Sequence, residues 1–385
     1  MFSMRLSNPF EQDCVQITFP LPDDELMEKL NTIGVVDSID SNCYVDLCSR
    51  EIPLLSILEN QPVNADEINY LARRLDSFGK YELAKFQSAV YVLDATNVGE
   101  MINLTFNLHN YTLIQSFHDM TAIGFQNFMD KNIGITEDEK TRYDFHALGL
   151  ELIMSTHGDI TPFGVLYENE MGMDLVYDGK LFPAYVYKSD YIISIYITRK
   201  DDASEDPKAA WLYLPEPDCC VDKALMRLGV NSLDECSLYI EDINRIPSPL
   251  HEIINRDFDY NSLNRLSRVV SQFSDYEITK LRAVADYANA FTAYEIAQLA
   301  ENLDWFHYVP NARTYEACGK YLIMEAGGFK PEENPEYFDF KRYIDEIICE
   351  KNGRFCKGGF AYSMADIDEI MHPKEQENGI SMNGM

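Results

Sequence analysis

Apolar and polar positions alternate in "FSMRLS" (2–7) and "CVQITF" (14–19), a period of two that predicts two strands, each with one face buried. The period then lengthens. In "DDELMEKLNTIG" the apolar Leu26, Met27, Leu30 and Ile33 fall on one helical face, Asp23 is placed as the N-cap, acids fill the first turn and Gly34 is the stop. "NCYVDLCS" returns to a strand, so residues 1–62 predict a small α/β lobe. From Asn64 the spacing is helical: "NADEINYLARRLDSF", "KYELAKFQSAVYVL" and "NVGEMINLTFNL" follow one another. A short strand, "YTLI", precedes two more amphipathic helices, "HDMTAIGFQNFMD" and "YDFHALGLELIM". A glycine-bearing turn, "THGDITPFG", leads into a last strand, "VLY". Residues 63–168 therefore predict a mainly helical lobe.

The same order is then written again. "INYLARRLDSF" at 68–78 returns as "LNRLSRVVSQF" at 263–273, a shift of 195 residues. That one shift also pairs Pro20 with Pro215, Gly34 with Gly229, Tyr81 with Tyr276, Lys85 with Lys280, Gly124 with Gly319, Asp144 with Asp339 and Tyr167 with Tyr362. A register held through turns and loops predicts two copies of one module, and its length points to two globular domains rather than a solenoid. The fold expected is α+β: two tandem homologous modules, each a small α/β lobe followed by a mainly helical lobe, in an elongated molecule. The divisions are 1–168 (lobes 1–62 and 63–168), a connector 169–190, 191–366 (lobes 191–257 and 258–366) and a flexible tail 367–385.

Charge changes the picture most. With 64 acids against 32 bases the net charge is −32, a field that repels nucleic acid and anionic lipid and attracts basic surfaces. Residues 14–170 hold 25 acids and 9 bases, and the matching 209–365 hold 25 acids and 16 bases, so the charge sits in both copies. No run near 18 apolar residues exists and the start has no charged-then-apolar signal pattern, which predicts a cytoplasmic protein without a membrane partner. None of the nine cysteines matches another under the shift and no C-x-x-C occurs, so free, mostly buried thiols are expected rather than a repeated disulfide or zinc framework.

Chemistry is sparse. The chain has no phosphate-cradling G-x-x-x-x-G-K-[ST], no dinucleotide G-x-G-x-x-G after a strand, no H-E-x-x-H and no G-x-S-x-G. "DFDYNS" at 257–262 begins like a calcium loop, but Ser262 replaces the glycine and Arg268 stands where the bidentate glutamate belongs. No histidine of either copy recurs in the other. The expectation is a protein that is not an enzyme, with no catalytic residue, metal or cofactor. Carboxylates do recur: Asp23/Asp218, Asp40/Glu235, Asp46/Glu241, Glu82/Glu277, Glu100/Glu295, Asp130/Glu325, Glu137/Glu332, Asp138/Glu333, Asp144/Asp339 and Glu151/Glu346. These are ten pairs where independent scatter gives about four. With the acid-rich helix starts Asp23, Asp24, Glu25, Asp66, Glu67, Glu137, Asp138 and Glu139, they are the candidate contact residues.

Four signatures in order, each seen twice, carry a family resemblance. They are "LNRL" opening a helix (with "INYL" in the first copy), a glycine-centred helix ("DMTAIGFQNFMD", "TYEACGKYLIMEAGG"), an aromatic–Asp–aromatic segment ("YDFHALGLEL", "YFDFKRYIDE") and a closing glycine turn with a strand ("HGDITPFGVLY", "NGRFCKGGFAY"). Together they resemble the ArdA-type antirestriction proteins of mobile elements, over roughly 64–167 and 259–362. The chain departs from that pattern in carrying the module twice, and in "LGLE" and "YIDE" where the family has a "YGRD"-like continuation. The resemblance implies a DNA mimic whose surface carboxylates block the DNA groove of type I restriction–modification enzymes. The partner implied is thus a DNA-binding defence enzyme and not nucleic acid, met by a monomer acting as a pseudo-dimer or by a homodimer. The alternative expectation is an acidic binding or adaptor protein, or an inhibitor of another DNA-binding defence system, that recognises a basic partner without full mimicry.

Overall fold

The alternation at the start of the chain becomes a sheet. In the computed structural model, which describes residues 1–10, 13–35, 42–132, 141–155, 157–169, 172–185, 191–205, 207–325 and 339–373, β1 (Phe2–Ser7) pairs antiparallel with β2 (Cys14–Phe19) and with β3 (Asn42–Cys48). A short β4 (Pro62–Asn64) completes the order β2-β1-β3-β4. Met4, Leu6, Ile17, Phe19, Cys43 and Val45 bury one face, and α1 (Asp23–Asn31) adds Leu26 and Leu30 to the same core. Asp23 is not the cap of α1: Pro22 holds that position, no side chain caps the helix, and Asp23 is its first residue.

The helical part follows as its periodicity requires. Asn64 caps α2 (Ala65–Asp76) by accepting from the amides of Asp66 and Glu67. Next come α3 (Lys80–Leu93) and α4 (Val98–Phe106), which share the first sheet's core through Phe86, Val90, Met101 and Ile102. Then β5 (Tyr111–Ile114), α5 (Met120–Lys131), α6 (Phe145–Ser155), β6 (Gly158–Thr161) and β7 (Gly164–Glu168) build an antiparallel sheet, β5-β7-β6, with two helices. Helices α5 and α6 cross so closely that a Cβ on Gly124 would stand 1.8 Å from the Phe145 carbonyl oxygen, and one on Gly149 would stand 2.1 Å from that of Met120. Residues 172–185 then run back over α4 as a strap that bends at residues 179–181. Tyr70 Oη donates to the Pro183 carbonyl at 2.9 Å, and Phe182 stacks on Tyr70 and Tyr177.

The second sheet, β10-β8-β9, is built from β8 (Ile193–Arg199), β9 (Ala209–Leu214) and β10 (Cys236–Ile243), with α7 (Asp218–Leu228) between the last two in sequence. After α8 (Ser248–Ile254) come α9 (Tyr260–Val270), α10 (Asp275–Ala288) and α11 (Ala293–Glu301). They are followed by β11 (Phe306–Pro310), α12 (Tyr315–Glu325), α13 (Phe340–Lys351), β12 (Arg354–Cys356) and β13 (Gly359–Ser363), with sheet order β11-β13-β12. The 195-residue shift is visible in these elements: α3 maps onto α10, α4 onto α11, and the order β5-β7-β6 onto β11-β13-β12. It reaches single bonds. Asn69 grips the backbone of Leu21, donating to its oxygen at 3.0 Å and accepting from its amide at 3.1 Å. Asn264 grips Glu216 the same way, at 2.8 and 2.9 Å. Asp94 and Asn289 end the matched helices α3 and α10 in the left-handed region, at φ 49° and 55°.

Compactness divides the chain into two units. One comprises Met1–Tyr187, Thr198–Trp211 and Pro217–Cys236, and therefore includes α7; the other comprises Lys188–Ile197, Leu212–Glu216 and Ser237–Met385. The expectation of a flexible tail from residue 367 needs correction for its first residues. Ile367–Met371 form α14, capped by Asp366, with Ile370 and Met371 buried. These are consecutive residues of a five-residue helix, too brief for the periodicity to register. All nine cysteines are free, with Cys43, Cys48, Cys236 and Cys318 buried, Cys14 and Cys349 exposed and the others between.

Candidate functional site

The acids of the first unit divide into two populations, and the division follows the bases. Asp66, at the start of α2, is buried; it accepts from Lys223 Nζ and from Arg227 Nη2, both at 2.9 Å and both from α7. Arg227 also donates to the Lys180 carbonyl at 2.9 Å and lies over the Phe182 ring. Next to Asp66, Glu67 Oε1 accepts from Tyr177 Oη at 2.8 Å, and burial holds the Glu67 carboxyl above its ordinary range. Asp130, on α5, takes Lys85 Nζ at 2.7 Å with both side chains almost fully buried, and also accepts from Tyr81 Oη and Gln126 Nε2. Asp23 accepts from Arg73 at 2.8 Å and from Asn69 Nδ2 at 3.0 Å. Arg74 is caged by Phe78, Phe106 and Tyr185 and donates to Thr105. Burial depresses its basicity.

Two of the expected surface contacts are therefore corrected: Asp66 and Asp130 are interior ion-pair members, desolvated and matched, and cannot meet a partner. Glu67 is half-buried and engaged, and Asp23 is half-buried in a bridge. A buried carboxylate and a solvated one look alike in a sequence when the base lies far off, 45 residues away for Asp130 and about 160 for Asp66.

The second population is exposed. On α1, Leu26 and Leu30 turn inward while Asp24, Glu25 and Glu28 turn out, and these three have no cationic partner among the described residues. Between α3 and β7, Glu82, Asp94, Glu100, Asp119, Asp144, Glu151, Asp159 and Glu168 are exposed, against exposed Lys80, Lys131 and Arg142. Asp46 is exposed beside Arg5, 3.5 Å away. In the second half of the chain Asp218, Glu235, Glu241, Asp339 and Glu346 are exposed, and Glu277 and Glu295 are half-buried. Asp40, Glu137, Asp138, Glu139, Glu332 and Glu333 lie outside the described residues, as does the side chain of Glu325 at the end of α12.

Much of the recurrence of acids has a local cause. Glu82 Oε2 accepts from the Gly79 amide at 2.8 Å, and its counterpart Glu277 accepts from Ser274 at 2.7 Å, each closing the start of its helix. Asp144 and Asp339 cap α6 and α13 by accepting from the amides of Ala147 and Arg342, both at 3.0 Å. Glu295 accepts from the amides of Phe291 and Thr292, Glu100 stands in the equivalent first turn of α4, and Asp23 and Asp218 are first residues of α1 and α7. Negative charge at a helix N-terminus meets the positive end of the macrodipole, so these positions are anionic for the helix's own sake. An anionic surface is a consequence of that rule as well as a candidate for binding.

No group of three or more His, Cys, Asp and Glu that would hold a metal occurs among the described residues, and no helix among them is long and apolar enough to cross a membrane. Burial pushes the core thiols Cys43 and Cys318 up to about 12 and Cys48 up to about 11, and the half-buried Cys356 also up to about 11. A concavity over Asp339, Lys341, Arg342, Asp345, Glu346, Cys349 and Glu350 is formed by one side of α13 and its cap, so no second element brings groups to face them. No family model matches the chain, and no curated protein matches it.

Sequence reasoning missed one set of residues altogether. Asn103, Asn107 and Asn110 stand on one face of α4 and the turn after it, and their amides hold the backbone of the strap between Gly172 and Tyr177. Their spacing, i, i+4 and i+7, was the available signal.

Proposed function

We propose that this chain is a non-catalytic antirestriction protein of the ArdA type, which presents carboxylates in place of DNA phosphates and occupies the DNA-binding groove of a type I restriction–modification enzyme. One observation carries the reading: the first unit turns Arg73, Arg74, Lys85, Lys223 and Arg227 into its own fold and leaves acids such as Asp24, Glu25 and Glu28 outside without partners among the described residues. A solvated acidic surface made only for solubility has no need to sequester its bases. Along α1, Asp24 and Glu28 are separated by about 6 Å of helix rise, a spacing close to two steps of about 3.4 Å along one DNA strand. The net charge of −32 equals that of roughly 50 Å of duplex at about one charge per 1.7 Å of axis. Arginines and lysines set out for phosphates would pair with these carboxylates by charge-assisted hydrogen bonds, and no covalent bond is made or broken.

The test is competition. Purified protein is titrated into a type I restriction–modification enzyme bound to labelled duplex DNA, at about 50 and about 200 mM salt. Displacement that weakens steeply with salt is the expected result. Absence of displacement at both salts rejects the reading and leaves a basic partner of another kind as the target.

A further inference from the structure

Among the described residues, the strap from Gly172 to Asp178 is hydrogen-bonded along one edge. Asn110 Nδ2 donates to the Gly172 oxygen at 3.0 Å. Asn107 grips Asp174 twice, donating to its oxygen at 2.9 Å and accepting from its amide at 2.8 Å. Asn103 accepts from the amides of Val176 and Tyr177 at 2.8 Å and donates to the Tyr177 oxygen at 2.9 Å. Asn110 and Asn107 thus reach alternate residues, Gly172 and Asp174, whose repeat of about 6–7 Å is close to one helical turn, and Asn103 reaches the next alternate amide, that of Val176, together with Tyr177. At Asp174 the ladder acts as a neighbouring strand would, with one donor and one acceptor from Asn107.

Consequences follow for the opposite edge. In extended chain, the amide and carbonyl of alternate residues point to opposite sides, so those of Met173 and Leu175 face away from the ladder. Neither residue makes a hydrogen bond among the described residues. Their side chains are open too, with Met173 49%, Leu175 79% and Val176 41% exposed. Exposed strand edges are normally blunted by lysine, proline or a bulge, and 172–178 contains no lysine or proline. The charge beside this edge is Asp174, exposed, while Asp178 is matched by Lys208.

We propose that the outer edge of this strap docks an extended, lysine- or arginine-bearing segment of a partner protein, which adds to it as a strand. Alternate residues of the segment exchange backbone hydrogen bonds with Met173 and Leu175, its apolar side chains cover those of Met173, Leu175 and Val176, and a basic side chain meets Asp174. A second copy of this chain is the poorer occupant, because strap against strap in an antiparallel register centred on residue 174 sets Asp174 opposite Asp174. The proposal goes beyond DNA mimicry and does not rest on it: strand addition reads backbone and apolar contact, whereas mimicry reads charge alone.

The experiment uses the full chain and a fluorescein-labelled, end-capped octapeptide of alternating valine and lysine, read by anisotropy. A second peptide of identical charge is N-methylated on the alternate residues of one edge, which removes its donors there. Binding of the parent peptide, a loss of at least tenfold with the N-methylated one, and a similar loss in Leu175→Asp with unchanged thermal unfolding are the expected results. Simple adsorption to an acidic protein predicts the reverse for Leu175→Asp, whose added charge would tighten binding. No binding of the parent peptide, or equal binding of the two peptides, overturns the proposal and leaves the competition assay with restriction enzyme unaffected.

Discussion

At the residue scale, the cost of placing charge inside decides what each acid does. Asp66 serves two cations, Lys223 and Arg227, with side chains at most 10% exposed, so removing it leaves two buried charges facing an amide. Asp66→Asn is expected to destabilise the protein by about 3–5 kcal/mol in urea unfolding, and Asp66→Leu combined with Lys223→Met and Arg227→Met to recover most of that loss. Recovery by the triple variant separates an uncompensated charge from a damaged core. Its neighbour Glu67 carries a pH dependence of its own. Because burial raises the folded carboxyl's pKa above the unfolded value, the folded state retains a proton where the unfolded chain has lost it. The stability tied to that proton is complete below the ordinary glutamate range and is lost as pH rises through the folded value. Glu67→Gln, which keeps an acceptor for Tyr177, should therefore melt higher than the parent at about pH 7.5 and equal to it near pH 4. A variant that melts lower at both would show that the Tyr177 bond to a charged acceptor outweighs the burial.

At the element scale, matched positions in the two halves differ in how much they tolerate. A Cβ on Gly124 meets backbone, the Phe145 oxygen at 1.8 Å and the Gly149 nitrogen at 2.6 Å, while one on Gly319 meets the Phe340 side chain at 2.8 Å. Backbone in a helix cannot yield without moving the helix, whereas a ring can turn. Gly124→Ala is expected to cost about 3 kcal/mol and Gly319→Ala about 1 kcal/mol, read as the difference in melting temperature between the two single variants. Equal effects would mean that α5 and α6 separate as easily as α12 and α13. The elements themselves were largely legible, since α3 and α10 carry their capping carboxylates, Glu82 and Glu277, in the local sequence. Helix α8 was not foreseen because "SPLHEII" is two turns long, and α14 was missed for the same reason. Asp66 was misplaced and the strap overlooked because their partners, Lys223 and the asparagines of α4, lie far off in sequence, where periodicity carries no information.

At the scale of the whole molecule, a charge of −32 guarantees some attraction to any basic protein, so a test of mimicry has to separate field from surface. Asp24→Asn/Glu25→Gln/Glu28→Gln neutralises the outer face of α1 while leaving Leu26 and Leu30 in the core. Glu241→Gln/Glu346→Gln/Glu350→Gln removes the same charge from exposed positions in the less acidic half of the chain. A long-range field treats the two triples alike, because each changes the total equally. Contact does not: exposed pairs worth about 0.2–1 kcal/mol each add to roughly a three- to 150-fold loss where they touch the enzyme. The α1 triple is expected to weaken displacement of DNA from the restriction enzyme by that factor and to flatten its dependence on salt, while the comparison triple stays within about threefold of the parent. Equal losses would assign the attraction to the field and leave α1 acidic only for its helix, whereas a loss confined to the second triple would move the contact surface to the half of the chain that carries more bases.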